Sequence, residues 1–150
     1  MKNPSRRRIL VVEDSEEDFD TVLEAALQMD LPDELVRALN IQDALLALNA
    51  AHEADMAFSL VLLDQSMPGG NGDELLGKLR ACAAHRNLTV VILSGSTSMA
   101  ECLHCYMAGA SAYHVKPVNF HDHMKAVQSI FRYWMQAVRL PRARDLRPPT

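Results

Sequence analysis

One stretch of this sequence limits the fold more than any other. The apolar run from Leu60 to Leu63 ends in Asp64 and is followed by a loop that contains Pro68 and three glycines. An unbroken leucine and valine run is typical of a strand buried on both faces, as in a parallel sheet covered by helices. Ligands bind beyond the carboxyl ends of such strands, so Asp64 is a candidate functional carboxylate. The alternative is that Asp64 only caps the next helix.

The rest of the chain alternates between short apolar strands and helical segments. Apolar residues spaced three and four apart, preceded by capping residues such as Ser15 and Asn40, predict the helices. The predicted strands are 9–12, 34–39, 60–63, 89–93 and 111–115; the predicted helices are 16–29, 41–53, one after Gly72, 99–108 and one from near Asn119. This alternation predicts an α/β fold with a doubly wound, five-stranded parallel sheet.

Length and composition favour one domain. The 150 residues are 49% hydrophobic, which suffices for a single core. We place this domain at residues 8–138, between a flexible tail at 1–7 and an arm at 139–150 that is rich in proline and arginine. The net charge of −4 does not favour nucleic-acid binding, although basic residues cluster near both ends. No apolar run approaches the roughly 20 residues of a membrane span, and no signal-peptide core is present, so we expect a cytoplasmic protein.

The cysteines do not suggest a disulfide framework. Cys82, Cys102 and Cys105 are an odd set, for which reduced thiols are expected. Cys102 and Cys105 match a C-x-x-C pattern, which could bind zinc or carry redox chemistry. Because the pair lies inside a helical pattern, small residues that pack a helix are the better interpretation.

Polar side chains follow several of the predicted strands. In a parallel sheet Glu13, Asp14, Asp64, Ser94 and Lys116 all emerge at the carboxyl edge. Carboxylates this close repel one another unless a counter-charge is present. A divalent cation that prefers oxygen ligands, Mg²⁺ or Mn²⁺, would neutralise them.

This set of residues suits phosphoryl transfer. Asp64 would be the nucleophile, because a carboxylate can form an acyl phosphate. Lys116 would neutralise one phosphoryl oxygen, while the Ser94 hydroxyl and the backbone N–H groups of Gly95 and Ser96 would hold the others.

Together these residues resemble the receiver domain of two-component response regulators. The resemblance covers about residues 8–131 and implies the flavodoxin-like (βα)5 fold. It rests on Glu13-Asp14, on Asp64 with Met67, Pro68 and Gly72, on Ser94-Gly95, and on Tyr113 with Lys116-Pro117.

The resemblance implies roles for individual residues. It makes Asp64 the phosphoacceptor, assigns Mg²⁺ to Glu13 and Asp14, and makes the Ser66 carbonyl a further metal ligand.

It also implies a switch. Ser94 would be the switch hydroxyl, Lys116 the phosphate contact and Tyr113 the aromatic residue that changes rotamer. Phosphorylation would thereby reshape the face formed by the fourth helix and fifth strand, which a partner reads. The Lys116-Pro117 bond resembles the cis peptide of the family.

The last helix is predicted to extend beyond the sheet. From Phe120, helical spacing continues for about 19 residues, longer than a five-stranded sheet can cover. The extension begins at about residue 131 and needs a partner, so we expect a symmetric homodimer. The expected interface residues are Phe131, Tyr133, Trp134, Met135, Val138 and Leu140.

Residues 131–141 also resemble the tail of stand-alone response regulators that partner phytochrome histidine kinases. This resemblance implies a phosphohistidine donor on a light-sensing kinase, and a regulator that dimerises.

Other classes of protein share parts of this pattern. The 150 residues leave no room for an output domain, so we expect a single-domain signalling receiver that catalyses only its own phosphorylation and dephosphorylation. A motility-type receiver that docks a motor or effector, or a phosphate sink or phosphorelay intermediate, would use the same residues. A haloacid-dehalogenase-type phosphatase would need an aspartate where Ser66 stands, and a nucleotide-binding domain would need glycines after the first strand.

Overall fold

A single parallel sheet forms the centre of the computed structural model, which describes residues 6–67 and 70–141, the backbone alone at 66, 67, 70 and 71. The strand order is β2-β1-β3-β4-β5, and all four neighbouring pairs are parallel. The strands are β1 (Arg8–Val12), β2 (Glu34–Ala38), β3 (Leu60–Asp64), β4 (Val90–Ser94) and β5 (Ala112–Val115). This arrangement confirms the predicted doubly wound fold.

Five α-helices alternate with these strands in the described part of the chain. They are α1 (Glu16–Gln28), α2 (Ile41–Glu53), α3 (Gly72–Ala81), α4 (Met99–Ala108) and α5 (Phe120–Phe131). The side chains of Ser15, Asn40 and Asn119 each accept a backbone N–H in the first turn of the helix that follows, which satisfies a donor that lacks a partner within the helix. Gly109 ends α4 in the left-handed conformation, with φ of 112°.

The helices cover both faces of the sheet. Alternate residues of β3 point to opposite sides: Val61 and Leu63 pack with α2, α3 and α4, whereas Leu60 and Leu62 pack with α1 and α5. All four are buried, because a side chain has a covered face to enter on either side. This two-sided burial explains why the strand is an unbroken apolar run.

A short antiparallel ladder follows β3 and was not predicted. Ser66–Met67 pairs with Gly70–Asn71 before α3 begins. The predicted motif position Pro68 lies outside the described residues.

The C-terminal segment differs from the predicted straight helix. After α5 the chain continues as a π-helix, Arg132–Ala137, in which the Val138 N–H donates to the Tyr133 carbonyl at 2.8 Å. The wider turn directs Met135 into the core between the sheet, α1 and α5, where its exposure is 3%.

The expected interface at this end therefore needs correction. Phe131 and Met135 are core residues of the same subunit, and their apolar surface needs no partner. Trp134 and Leu140 are partly buried against the same core, and Val138 is also half-buried. Tyr133 is 56% exposed. The π-helical segment thus contributes core residues as well as the exposed Tyr133.

The ordered contacts also extend past the expected domain limits. Arg7 was placed in a flexible tail, yet its guanidinium donates to Asp33 Oδ1 at 2.9 Å and to the Met135 carbonyl at 2.6 Å. Leu140, placed in the arm, packs on the core. Residues 142–150 of the arm lie outside the described residues.

The sequence left the isomer of the Lys116–Pro117 bond open, although the bond resembles the cis peptide of the family. No described peptide bond is cis, so the Lys116–Pro117 bond is trans. Trans is the form that a bond before proline favours, by about 0.5–1 kcal/mol.

Among the described helices, none has both the length and the apolar character that crossing a bilayer requires.

Candidate functional site

The carboxyl edge of the sheet gathers the predicted polar residues. The β1, β3, β4 and β5 ends lie side by side, with Val12 opposite Leu63, Asp64 opposite Leu93 and Ser94 opposite Val115. Parallel pairing with little stagger thus brings the residues that follow each strand to one place.

Three carboxylates meet at this edge. Glu13, Asp14 and Asp64 each offer an oxygen, and these oxygens all lie within 4.8 Å of one another. Glu13 is buried, Asp64 half-buried and Asp14 exposed, so the group opens to solvent on one side. Over residues 6–67 and 70–141, excluding the undescribed side chains, no other group of three acidic, histidine or cysteine side chains is arranged in this way.

The electrostatics of this group favour a cation. Burial, a hydrogen bond to Asp64 and the Asp64 charge together raise the pKa of Glu13 to about 8, against the opposing effects of Lys116 and of the Ser15 N–H. Without a divalent ion, Glu13 therefore holds a proton at neutral pH. Exchange of that proton for Mg²⁺ would relieve the repulsion, and the all-oxygen donors fit Mg²⁺ or Mn²⁺.

Lys116 lies against the same carboxylates. Its Nζ donates to Asp18 Oδ2 at 2.8 Å, to Asp64 Oδ2 at 3.3 Å and to Glu13 Oε1 at 3.4 Å. Burial by itself lowers the pKa of Lys116, but the hydrogen bond to Asp18 and the charges of Asp64, Glu13 and Asp18 outweigh it and hold the pKa above its ordinary value. The ammonium therefore stays charged.

Asp18 is a site residue that the sequence analysis missed. It lies in the first turn of α1, where its backbone N–H donates to Ser15 Oγ at 3.2 Å. The available signal was its position four residues after Asp14, just past the end of β1. That signal was weak, since acidic residues are common in the first turn of any helix.

Arg37 on β2 was also missed, and it holds the acidic loop in place. Its guanidinium donates to the Glu13 carbonyl at 3.0 Å and to the Asp14 carbonyl at 3.1 Å. The same group pairs with Glu16 at 2.7 Å and lies 4.9 Å above the Phe19 ring. Arg37 thus positions two metal-ligand candidates through their backbone.

Ser94 and Tyr113 are linked through the backbone of one residue, Ser96. Ser94 is buried, and its Oγ accepts the Ser96 N–H at 3.1 Å. The Tyr113 hydroxyl donates to the Ser96 carbonyl at 2.9 Å, and its ring packs partly buried against the core. In this structure the Tyr113 side chain thus points inward, toward Ser96, whose N–H is bound by Ser94.

Gly95 faces open space. A Cβ at this position would meet nothing within 4 Å, so the approach to the site is open there. An open approach to the site at Gly95 was expected. A small side chain at this position would also leave the approach open.

His123 on α5 forms part of the buried surroundings of the site. The ring is buried, and its Nε2 has no hydrogen-bond partner among the described residues. Burial lowers the pKa of His123, and the positive charge of Lys116 lowers it further. The negative charges of Asp18 and Asp64 raise this pKa but do not outweigh the burial. A neutral imidazole at this position was not expected from the sequence.

The cysteines form no second site in the described part of the chain. Cys82, Cys102 and Cys105 are free, and none belongs to a metal-binding group. Cys105 lies on α4 and its side chain is buried in the core, as expected of a packing residue.

Comparison with known proteins identifies the class to which this architecture belongs. The chain belongs to the response regulator receiver domain family, whose model matches residues 9–128. It is thus a signalling receiver domain of a two-component system.

Within that family the chain is similar to phytochrome response regulators. It is 29% identical to Response regulator Rcp1 of Synechocystis sp. over 140 residues, which are 90% of this chain and 93% of Rcp1. The phosphorylated cyanobacterial phytochrome response regulator RcpA superposes with a TM-score of 0.84 at 25% identity, covering 91% of this chain and 99% of RcpA. The Mn²⁺-bound form of Rcp1 gives a TM-score of 0.81 at 28% identity, covering 90% and 99% of the two chains. These findings confirm the family resemblance and the fold.

Proposed function

We propose that this chain is a response regulator in which Asp64 accepts a phosphoryl group from a phosphohistidine of a sensor histidine kinase. The observation that carries the proposal is that the Asp64 carboxylate lies beside both the Lys116 ammonium and the Glu13-Asp14 pair. Phosphoryl transfer needs mainly positioning and charge neutralisation, and this arrangement supplies both.

The proposed reaction moves a phosphoryl group from nitrogen to oxygen. An Asp64 carboxylate oxygen forms a bond to phosphorus while the phosphorus–nitrogen bond of the donor breaks. The electron pair goes to the departing imidazole, which takes up a proton. Lys116, already 3.3 Å from Asp64, neutralises a phosphoryl oxygen. Loss of the phosphoryl group to water returns the free aspartate.

Glu13, Asp14 and Asp64 would hold the metal, with the Ser66 carbonyl as a further ligand. Mg²⁺ or Mn²⁺ bound there supplies positive charge for the phosphoryl oxygens. The fit of the oxygen donors and the raised pKa of Glu13 support this assignment, as does the existence of an Mn²⁺-bound form of Rcp1.

The proposed switch uses Ser94 and Tyr113. A phosphoryl dianion beside Ser94 would draw its hydroxyl away from the Ser96 N–H and leave that N–H, with that of Gly95, to bind phosphoryl oxygens. The hydrogen bond from Tyr113 to Ser96 couples this change to β5. A partner would read the result on the α4–β5 face, where Leu103, Met107 and Val115 are exposed.

The proposed phosphate donor is a phytochrome-type kinase in the cytoplasm. Similarity to Rcp1 and RcpA over about nine-tenths of this chain favours this function over a motility-type receiver that docks a motor or effector, and over a phosphate sink or phosphorelay intermediate. A homodimer is proposed as well, with Tyr133 as its exposed aromatic anchor.

Intact-mass analysis tests the phosphoacceptor. We expect wild-type protein incubated with Mg²⁺ and a small phosphodonor to gain the mass of one phosphoryl group, in an acid-stable and base-labile form. Asp64→Asn should gain none, and chelator should block the wild-type reaction.

Asp20→Asn is the matched control, because Asp20 is an exposed aspartate on α1. It should be phosphorylated like the wild type. Retention of the added mass in Asp64→Asn would refute the assignment.

A further inference from the structure

Asp18 makes the shortest contact of the Lys116 ammonium. The distance is 2.8 Å, against 3.3 Å to Asp64 and 3.4 Å to Glu13. The Lys116 side chain is only 16% exposed, and that of Asp18 is 30% exposed, so the pair is partly shielded from solvent. Asp18 is not among the carboxylates grouped closely enough to share a metal ion.

We propose that Asp18 is a positioning residue that draws Lys116 toward itself and so leaves Glu13, Asp14 and Asp64 available to Mg²⁺. This inference rests on the proposed function, because it concerns the same metal site. It assigns to Asp18 a role that acts through Lys116 rather than by touching the phosphoryl group.

The physical reason is competition for carboxylate oxygens. An ammonium has three N–H donors, and Lys116 directs them to three carboxylates. Without Asp18, the charge would be shared between Asp64 and Glu13 alone, whose oxygens Mg²⁺ also needs. Mg²⁺ requires near-octahedral geometry. A Lys116 ammonium bound to Asp64 and Glu13 therefore disfavours Mg²⁺ binding in two ways, because it occupies ligand oxygens and because it carries a positive charge.

The local structure suits Asp18 to this task. Asp18 lies in the first turn of α1, near the positive end of the helix dipole, where acidic side chains are stabilising. Its backbone N–H is held by Ser15, so the side chain starts from a fixed point. Asp18 therefore offers Lys116 a charged partner that the metal does not require.

Calorimetric titration with Mg²⁺ tests the inference on unphosphorylated protein. We expect Asp18→Asn to raise the Kd for Mg²⁺ by about tenfold, a coupling of ordinary size for residues in contact. Removal of one negative charge also weakens cation binding in a general way. Asp20→Asn measures that general effect, and we expect it to change the Kd by less than about twofold.

A double-mutant cycle shows whether Asp18 acts through Lys116. In a Lys116→Met background, Asp18→Asn should change the Kd no more than Asp20→Asn does in the wild type. An equal loss with and without Lys116 would overturn the inference, as would a loss in Asp18→Asn no larger than in Asp20→Asn. Thermal unfolding in Mg²⁺ establishes that each variant is folded.

A second measurement does not need the Lys116 variant. The phosphorylation rate of Asp18→Asn, followed against Mg²⁺ concentration, should reach a plateau within about twofold of the wild type, but at about tenfold more Mg²⁺. A lowered plateau with unchanged half-saturation would overturn the inference. Absence of phosphate on wild-type Asp64 would instead overturn the proposed function, while the calorimetric cycle still decides the role of Asp18.

Discussion

At the scale of single residues, the site combines excess negative charge with one well-held positive charge. Glu13 is buried beside Asp64, and Lys116 contacts both as well as Asp18. Arg37 holds the loop that carries Glu13 through carbonyl contacts. These charges make the site sensitive to pH and to metal.

The first prediction concerns pH. Because burial and Asp64 raise the pKa of folded Glu13 from 4.5 to about 8, the folded protein binds more protons than the unfolded chain between these values. In chelator, stability should therefore fall as pH rises toward 8. His85, His114 and His123, whose pKa values burial lowers, act in the opposite direction, but only below their ordinary value of 6.5.

The informative window is thus pH 6.5 to 8. Across this window, denaturant unfolding in chelator should show that the free energy of unfolding falls by on the order of 2 kcal/mol. Glu13→Gln should abolish this dependence on pH. Saturating Mg²⁺ should abolish it in the wild type as well. A flat wild-type profile in chelator would contradict the assignment.

A second prediction at this scale concerns Arg37, which binds the backbone of Glu13 and Asp14. Arg37→Met removes the hydrogen bonds to the Glu13 and Asp14 carbonyls, and we expect it to destabilise the fold by about 1–3 kcal/mol. The Mg²⁺ affinity should fall too, since the ligands lose their backbone support. Arg86→Met, at an exposed arginine, is the control and should change neither quantity in unfolding or titration experiments.

At the scale of elements, two partly exposed arginines connect the ends of helices to neighbouring segments. Arg80 on α3 donates twice to the Gly109 carbonyl at the end of α4 and once to the Leu88 carbonyl at 2.7 Å. Arg7 similarly binds the Met135 carbonyl in the π-helix and pairs with Asp33. In both cases a cation satisfies carbonyls that a helix end leaves without partners.

Two glycine substitutions test the junction between α3 and α4. Gly109 has φ of 112°, and an added Cβ would lie 2.6 Å from the Arg80 side chain. Gly109→Ala should therefore destabilise the fold by about 1–3 kcal/mol through backbone strain and displacement of Arg80. Unfolding in urea measures the change.

Gly77→Ala supplies the matched control. Gly77 lies in α3, and a Cβ there would meet nothing within 4 Å. Alanine should stabilise this helix position by about 0.5–1 kcal/mol. Equal effects of the two substitutions would contradict the structural account of Gly109.

At the scale of the whole molecule, two cores share one sheet, and the C-terminal segment completes one of them. Ile130, Phe131 and Met135 are buried with α1 and with one face of the sheet. Tyr133 lies on the outside and stacks edge-on against Trp134 at 5.0 Å. One segment therefore contributes both to the core and to the surface.

Substitutions in this segment separate core packing from self-association. Met135→Ala should cost about 2–5 kcal/mol of stability, because it opens a cavity in the core. Tyr133→Ala should cost only about 1 kcal/mol, the size of one aromatic contact, but should lower the molar mass in solution if Tyr133 anchors the proposed dimer. Light scattering and urea unfolding measure the two quantities, and a monomeric wild type would refute the dimer.

Most of the architecture was predictable because its signals are local. The apolar run that ends in Asp64, the caps Ser15 and Asn40, and the terminating Gly109 each act within a few residues of themselves. Given parallel strands, the meeting of Glu13, Asp64 and Lys116 at one edge followed from chain order alone. Their roles in phosphorylation remain proposals for the experiments above.

The amino-acid sequence by itself thus determined the class of fold and the group of residues at the edge of the sheet. Tertiary structure alone decided that Asp18 is paired with Lys116, 98 positions away, and that Met135 turns into the core. The physical reason is that the alternation of strands and helices follows from hydrophobic patterning, whereas a contact between side chains of different elements depends on how α1, β5 and the π-helix pack. Spacing along one segment carries no information about that packing.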